Sequence, residues 1–223
     1  MNAVIMAGGR GLRLHPITEK IPKPLIRVGS KPLLETIIDG FAKQGFDRFF
    51  LCVHYKAELI EEYFGDGSDK GIHIEYIREK TPLGTAGGLS LLPMSNSPMI
   101  VSNADVIAEI DYLHLLSTHE ESGKDATVCL GLHQYQVPFG VVSVKNDKVT
   151  IREKPIENFE VNAGIYVLPG DISARIKNVP IDTPDLLDQL TVNPYPILGY
   201  WQDVGHFDSL AKAHIEWSMR AVA

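Results

Sequence analysis

Directly after Met1, Asn2-Ala3-Val4-Ile5-Met6 forms a short apolar run with β-branched members, and a glycine-rich turn, Ala7 to Gly11, follows at once. That pairing reads as a buried strand opening into a loop. The theme recurs along the first half of the chain. Leu33, Leu34, Ile37, Ile38 and Phe41 have helical spacing over residues 32–44, with Pro32 in a tolerated first-turn position and Gly45 as a stop. Phe49 to Val53 reads as a second strand, Lys56 to Phe64 as a helix, Ile72 to Ile77 as a third strand and Met99 to Ser102 as a fourth. Alternation at this spacing predicts an α/β fold, a mainly parallel central sheet flanked by crossover helices. The prolines at 16, 22 and 24 predict an extended stretch between the first loop and the first long helix.

After about residue 125 the pattern changes. Val128 to Leu132, Val141 to Val144, Val149 to Arg152 and Val161 to Val167 are short strand-like runs with few helices between them. They predict a smaller mixed or antiparallel part, closed by helices over 184–190 and 207–217. No repeat or flexible linker interrupts the 223 residues, so the chain reads as one domain over 1–223, with halves at 1–125 and 126–223.

Composition matters here for what it excludes. With Lys+Arg at 21 and Asp+Glu at 28, the formal net charge is −7, which argues against nucleic acid or an anionic membrane as a partner. No apolar run approaches the roughly 18–20 residues of a spanning helix, and Met1-Asn2-Ala3-Val4 lacks a signal-peptide pattern. A cytoplasmic location is expected. Cys52 and Cys129 each sit in an apolar strand-like run without metal spacing, and are expected to be buried thiols. The eight histidines form no close ligand pattern. A homo-oligomer is neither demanded nor excluded.

In this acidic chain, Arg10, Arg13, Lys20 and Lys23 cluster around the glycine loop. Glycines let a backbone approach phosphate oxygens closely, and successive N–H groups form an anion nest. Guanidinium groups and a lysine beside such a nest suit a triphosphate. The loop lacks the Gly-Lys-Ser/Thr ending of a Walker A motif, and Leu14 stands where a dinucleotide fingerprint needs its third glycine.

Ala7-Gly8-Gly9-Arg10-Gly11-Leu12-Arg13-Leu14 followed by Pro22-Lys23-Pro24-Leu25 resembles the signature of the sugar-1-phosphate nucleotidylyltransferases. Further segments are similar to that family in its order. They are Pro82-Leu83-Gly84-Thr85-Ala86-Gly87, Asn103-Ala104-Asp105, Phe139-Gly140-Val141-Val142, Arg152-Glu153-Lys154-Pro155, Val161-Asn162-Ala163-Gly164-Ile165-Tyr166 and Tyr200-Trp201-Gln202-Asp203-Val204-Gly205. The likeness is greatest to small bacterial hexose- and hexosamine-1-phosphate guanylyltransferases, some of which carry regulatory domains ahead of the catalytic part; none is expected here. Leu12 stands where the family usually has Thr, and Ala104 where it usually has Gly.

The resemblance implies a Rossmann-like nucleotidyltransferase fold, with a nucleotide-binding half at 1–125 and a sugar-phosphate-binding half at 126–223. It implies Mg²⁺-dependent transfer of a nucleotidyl group from an NTP, GTP favoured, to a sugar 1-phosphate, for polysaccharide or glycan synthesis. Arg13, Lys23 and Asp105 are the implied catalytic residues, and Asp105 and Asp203 the implied metal ligands. Met6, Ala7, Gly8, Gly9, Arg10, Gly11, Gly84 and Thr85 would meet the nucleotide. Gly140, Glu153, Lys154 and Asn162 would meet the sugar phosphate. His206 reads as an ordinary loop histidine, and Trp201 serves equally as a pocket wall or as packing. Uridylyl or thymidylyl transfer, and a nucleotide-sugar sensor without catalysis, are the alternatives; Leu12 motivates the second.

Overall fold

The computed structural model describes residues 1–220. Its strands are β1 (Asn2–Met6), β2 (Arg27–Val28), β3 (Lys31–Pro32), β4 (Arg48–Val53), β5 (His73–Arg78), β6 (Met99–Asn103), β7 (Val106–Ala108), β8 (Ala126–Gln136), β9 (Val141–Lys145), β10 (Lys148–Arg152), β11 (Ile156–Leu168), β12 (Val192–Pro196) and β13 (Trp201–Asp203). Its helices are α1 (Ile17–Lys20), α2 (Leu33–Ala42), α3 (Ala57–Phe64), α4 (Tyr112–Ser122), α5 (Ile172–Arg175), α6 (Thr183–Leu187) and α7 (Phe207–Arg220).

Seven strands form one sheet in the order β12-β8-β11-β6-β1-β4-β5. The pairs β6–β1, β1–β4, β4–β5 and β8–β12 are parallel, while β11 is antiparallel to both of its neighbours. The mostly parallel sheet and its mixed second part agree with the sequence reading.

Alternate residues of the central strands feed two cores, because successive side chains leave a strand on opposite faces. Ala3 and Ile5 of β1, Phe49, Leu51 and Val53 of β4, and Ile100 of β6 face one core with α2, α3 and α4. Val4, Phe50, Cys52, Met99 and Val101 face the other, against Leu89, Leu92, Ile172 and Leu186. Cys52 and Cys129 are both buried and free, and burial pushes each thiol up to about 12.

Three local expectations are corrected, and one helix was not expected at all. The stretch around Pro16, Pro22 and Pro24 is not extended; it folds into a 3₁₀ turn at Leu12–Leu14, the short α1, and a second 3₁₀ turn at Lys23–Leu25. Proline's fixed φ and missing N–H suit the first turn of a helix, where no donor is required. Helix α4 went unread in the sequence. Asp111 caps it by accepting the His114 N–H at 2.9 Å, but its inner face includes His119, bonded to Thr127 at 3.0 Å, and that polar residue blurs the apolar stripe. The expected 184–190 helix is the shorter α6, and β8 and β11 outrun their expected lengths.

Candidate active site

In open α/β sheets, ligands bind beyond the carboxyl ends of the parallel strands. Here β1, β4, β5 and β6 end around a cavity of about 660 Å³. Its wall contains Met6, Ala7, Gly8, Gly9, Arg10 and Gly11 from the loop after β1, with Gly84, Thr85, Arg13, Lys23 and Asp105. The structure thus gathers every residue expected to meet the nucleotide, and all three expected to be catalytic, around one space.

The glycine loop is pinned at its start and shaped at its end. The Ala7 N–H donates to the Cys52 carbonyl at 2.7 Å, and the Ala104 N–H to the Met6 carbonyl at 3.1 Å. Gly11 has φ +63°, and a Cβ there would lie 2.9 Å from Thr18 Cγ2 and 3.2 Å from Lys23 Cβ. Only glycine fits that close crossing without strain. The turn leaves Leu12 exposed and Leu14 buried, so the unusual Leu12 side chain is absent from the core.

Lys23 is buried, and its Nζ donates to Asp105 Oδ2 at 2.6 Å. Asp105 follows β6, with Ala104 packed in the core beside it. Asp203 ends β13, which pairs antiparallel with β7 so that Asp203 lies opposite Val106. The Val204 N–H completes this bridge by donating to the Asp105 carbonyl at 2.8 Å. A two-stranded ribbon thereby brings together two aspartates remote in sequence. Burial, and then the Asp105 charge, raises the Asp203 carboxyl above its ordinary range, while Lys23 and Arg13 pull it back. Asp105 Oδ1 is buried with no hydrogen-bond partner.

That orphaned oxygen bears on the implied Mg²⁺. Among the described residues no cluster of three or more His, Cys, Asp or Glu side chains exists. Mg²⁺, however, is commonly held by one or two carboxylates with water and substrate phosphates completing the shell. The free Asp105 oxygen and the adjoining Asp203 carboxylate fit that requirement.

On the base side, Gly84 has φ +87°, and a Cβ there would fall 2.4 Å from the Ile181 carbonyl oxygen. Thr85 donates its N–H and its hydroxyl to Asp182 Oδ1, at 2.8 and 3.1 Å, and accepts from the Thr183 N–H at 2.8 Å. The Gly84–Thr85 loop is therefore clamped by residues from the far end of the chain, besides lining the cavity.

The four residues expected at the sugar phosphate stand elsewhere. None of Gly140, Glu153, Lys154 and Asn162 lines the cavity. Gly140 and Glu153 flank the exposed β9–β10 hairpin, where a Cβ on Gly140 would lie 3.0 Å from Glu153 Oε2. Lys154 is exposed at φ +42°. Asn162 sits at the register shift of β11 and accepts the Gly164 N–H at 2.9 Å. That shift touches the site's edge, since a Cβ on Gly164 would lie 2.7 Å from Asn103 Nδ2.

Sequence reasoning missed His54, Glu79 and Asp182, all of which line the cavity. Glu79 directly follows β5, and the carboxyl end of a strand in an open α/β sheet, where ligands bind, is the signal that could have found it. His206 is more than an ordinary loop residue: its Nε2 lies 2.9 Å from Arg13 Nη1. Since arginine only donates, that ring nitrogen accepts. Trp201 packs, donating its indole N–H to the Ala163 carbonyl at 3.0 Å and covering Gly131.

The chain is similar to known proteins over most of its length. A mannose-1-phosphate guanyltransferase from Pichia angusta is 34% identical over 224 residues, covering 92% of this chain and 61% of its own length. The chain spans about three fifths of the length of the curated relatives it matches. Among solved structures, a Bacillus anthracis chain named for glucose-1-phosphate thymidylyltransferase superposes with a TM-score of 0.78 at 23% identity, covering 98% of this chain and 96% of that one. HddC from Yersinia pseudotuberculosis gives a TM-score of 0.76 at 25% identity, covering 97% and 99%. These likenesses show the Rossmann-like fold. The profile of the nucleotidyl transferase family matches residues 2–218, a span that includes the glycine loop, the proline-flanked lysine and the paired aspartates, and the chain belongs to that family.

Proposed function

We propose that this protein transfers a nucleotidyl group from an NTP, GTP favoured, to a hexose or hexosamine 1-phosphate, releasing pyrophosphate and forming an NDP-sugar for polysaccharide or glycan synthesis. The observation that carries the reading is the convergence of Arg13, Lys23 and Asp105 on one cavity behind a glycine loop. The names of the relatives point to GTP, and make mannose 1-phosphate the first sugar to try.

In this reading an oxygen of the sugar phosphate attacks the α-phosphorus in line. A new P–O bond forms as the bond from Pα to the bridging oxygen breaks, and the electron pair leaves with pyrophosphate. Two unit charges 4 Å apart repel by about 4 kcal/mol at an effective dielectric near 20, so neutralisation is the main task. Arg13 faces the departing pyrophosphate, steered by His206 Nε2. Lys23 has three N–H donors, of which one holds Asp105; the others serve the charge growing on the α-phosphoryl oxygens. Asp105 and Asp203 would hold Mg²⁺, which supplies Lewis-acid stabilisation of those oxygens when bound. Asn162 on β11, with Glu153 and Lys154 in the turn between β10 and β11, takes the incoming sugar phosphate.

Pyrophosphate release is the test, with Mg²⁺ present and four NTPs plus dTTP set against a panel of hexose and hexosamine 1-phosphates. Release that requires one NTP together with one sugar phosphate supports the transferase. Nucleotide binding without release from any pair overturns it in favour of a sensor.

A further inference from the structure

The Gly84–Thr85 loop and the start of α6 exchange hydrogen-bond partners. Asp182 stands at the N-cap position of α6 with extended backbone, yet its side chain makes no capping bond to its own helix. An aspartate in that place ordinarily accepts an N–H of the first turn. Instead Asp182 Oδ1 accepts the N–H and the hydroxyl of Thr85, 97 residues away, at 2.8 and 3.1 Å. Thr85 Oγ1 takes over the cap, accepting the Thr183 N–H at 2.8 Å and the Thr183 hydroxyl at 3.2 Å.

A threonine hydroxyl has one proton to donate and two lone pairs with which to accept. Asp182 and Thr183 fill all three positions on Thr85, and Asp182 fills its N–H as well. Thr85 lines the cavity, but its hydroxyl is fully committed within the protein. What Thr85 gives the cavity is the shape of its loop.

That shape is decided from the other half of the chain. The Ile181 N–H donates to the Leu83 carbonyl at 2.8 Å, and the Ala86 N–H to the Ile181 carbonyl at 3.1 Å. Among the described residues, the tie of Leu83–Thr85 to its own half is one long bond, from the Leu83 N–H to Glu79 Oε2 at 3.3 Å. Asp182 is itself exposed and lines the same cavity. Capping of α6 accounts neither for the turn of this carboxylate away from its helix nor for its place on the cavity wall. We propose that Asp182 is a positioning residue for the nucleotide: it holds Thr85, and with it the backbone of residues 83–86, in the form that binding requires, without touching the nucleotide itself. The proposal rests on the nucleotide reading of the cavity given above.

Calorimetric titration of the full chain with ATP, CTP, GTP, UTP and dTTP first finds the tightest nucleotide, and the variants are then compared on that one. D182A is expected to weaken it about tenfold, the lower end of the scale for hydrogen bonds to a charged group. D182N keeps an acceptor oxygen in place of Oδ1 and is expected to stay within about threefold of wild type. T85V removes the hydroxyl, so D182A should add less in T85V than it does alone, as expected of two residues that act as a unit. Wild-type affinity in D182A overturns the proposal, even if its melting temperature falls. So does D182N as weak as D182A, which would make charge the cause. So does a D182A effect undiminished in T85V, which would mean that Asp182 meets the nucleotide directly. If D182A fails to fold, D182E, which displaces the acceptor by one methylene, takes its place with the same expectations. Weakened binding in D182A without pyrophosphate release from any wild-type substrate pair would keep the role of Asp182 and discard the transferase. Release with undiminished affinity in D182A would do the reverse, and a wild type that binds none of the five nucleotides would discard both.

Discussion

Lys23 Nζ and Asp105 Oδ2 stand 2.6 Å apart, joining a proline-flanked 3₁₀ turn to the carboxyl end of β6 across 82 residues of sequence. The lysine side chain is 10% exposed and the aspartate 24%. The contact orients both groups: it holds the ammonium at the cavity floor and leaves Asp105 Oδ1 without a partner.

Lys23→Ala is therefore expected to lower kcat by about 10²–10³, the scale for losing one donor to transition-state charge. Steady-state pyrophosphate release is the measurement, and near-wild-type turnover would remove Lys23 from the mechanism. Melting temperature should fall as well, because Asp105 would remain as a largely buried charge without its cation.

Asp105→Asn keeps the shape of the side chain while removing its charge. The Mg²⁺ concentration giving half-maximal rate is expected to rise at least about tenfold. An unchanged Mg²⁺ titration would show that the metal is held elsewhere.

Two glycines of the cavity separate structure from binding. Gly84→Ala combines a left-handed backbone with a clash against the Ile181 carbonyl, and should cost about 2–4 kcal/mol in urea unfolding. A Cβ on Gly9 would meet nothing within 4 Å, so Gly9→Ala should stay within about 0.5 kcal/mol of wild type. Its GTP affinity should nevertheless fall, because the methyl group occupies space on the cavity wall. Unchanged binding in Gly9→Ala would place the nucleotide away from this loop.

Acid stability has a local source at the sheet edge. Asp125 accepts the N–H and hydroxyl of Thr191 at 3.0 and 2.6 Å, and Arg175 at 3.0 Å, tying the starts of β8 and β12. The Thr191 bonds, with Arg175, hold its carboxyl down to about 2. A depressed carboxylate stabilises the fold above its unfolded value, about 3.9, and loses that contribution as pH falls through its folded value. The melting-temperature difference between wild type and Asp125→Ala should thus be constant at pH 5–7 and shrink as pH falls from about 4 toward about 2. A gap independent of pH would mean that Asp125 acts through its neutral hydrogen bonds alone.

Much of this molecule was legible from local pattern. Apolar runs ending in glycine loops gave the strands and crossover helices of the first half, because one strand or helix needs only its own few residues to declare its period. The same logic singled out the glycine loop and Lys23 beside it, while Asp105 came from the family resemblance. Helix α4 escaped because a histidine bonded to Thr127 occupies part of its buried face. The sharp turns around Pro16 and Pro24 escaped because proline is equally at home in extended chain and in a first helical turn.

Other properties depend on contacts between residues far apart in the chain. Asp203 reaches Asp105 only through the pairing of β7 with β13, and the Gly84–Thr85 loop is fixed by Ile181, Asp182 and Thr183. Glu79 becomes a cavity wall because Gly8 and Gly88 leave space beside it, and no local period in the sequence records that vacancy. The sequence by itself determined the main strands and crossover helices of the first half, the family signature and the sign of the charge near the loop, all of which are local. Tertiary structure alone decided which carboxylates share a wall and which of them keeps an unpartnered oxygen, because charges and hydrogen-bond partners act through distance in space rather than separation along the chain.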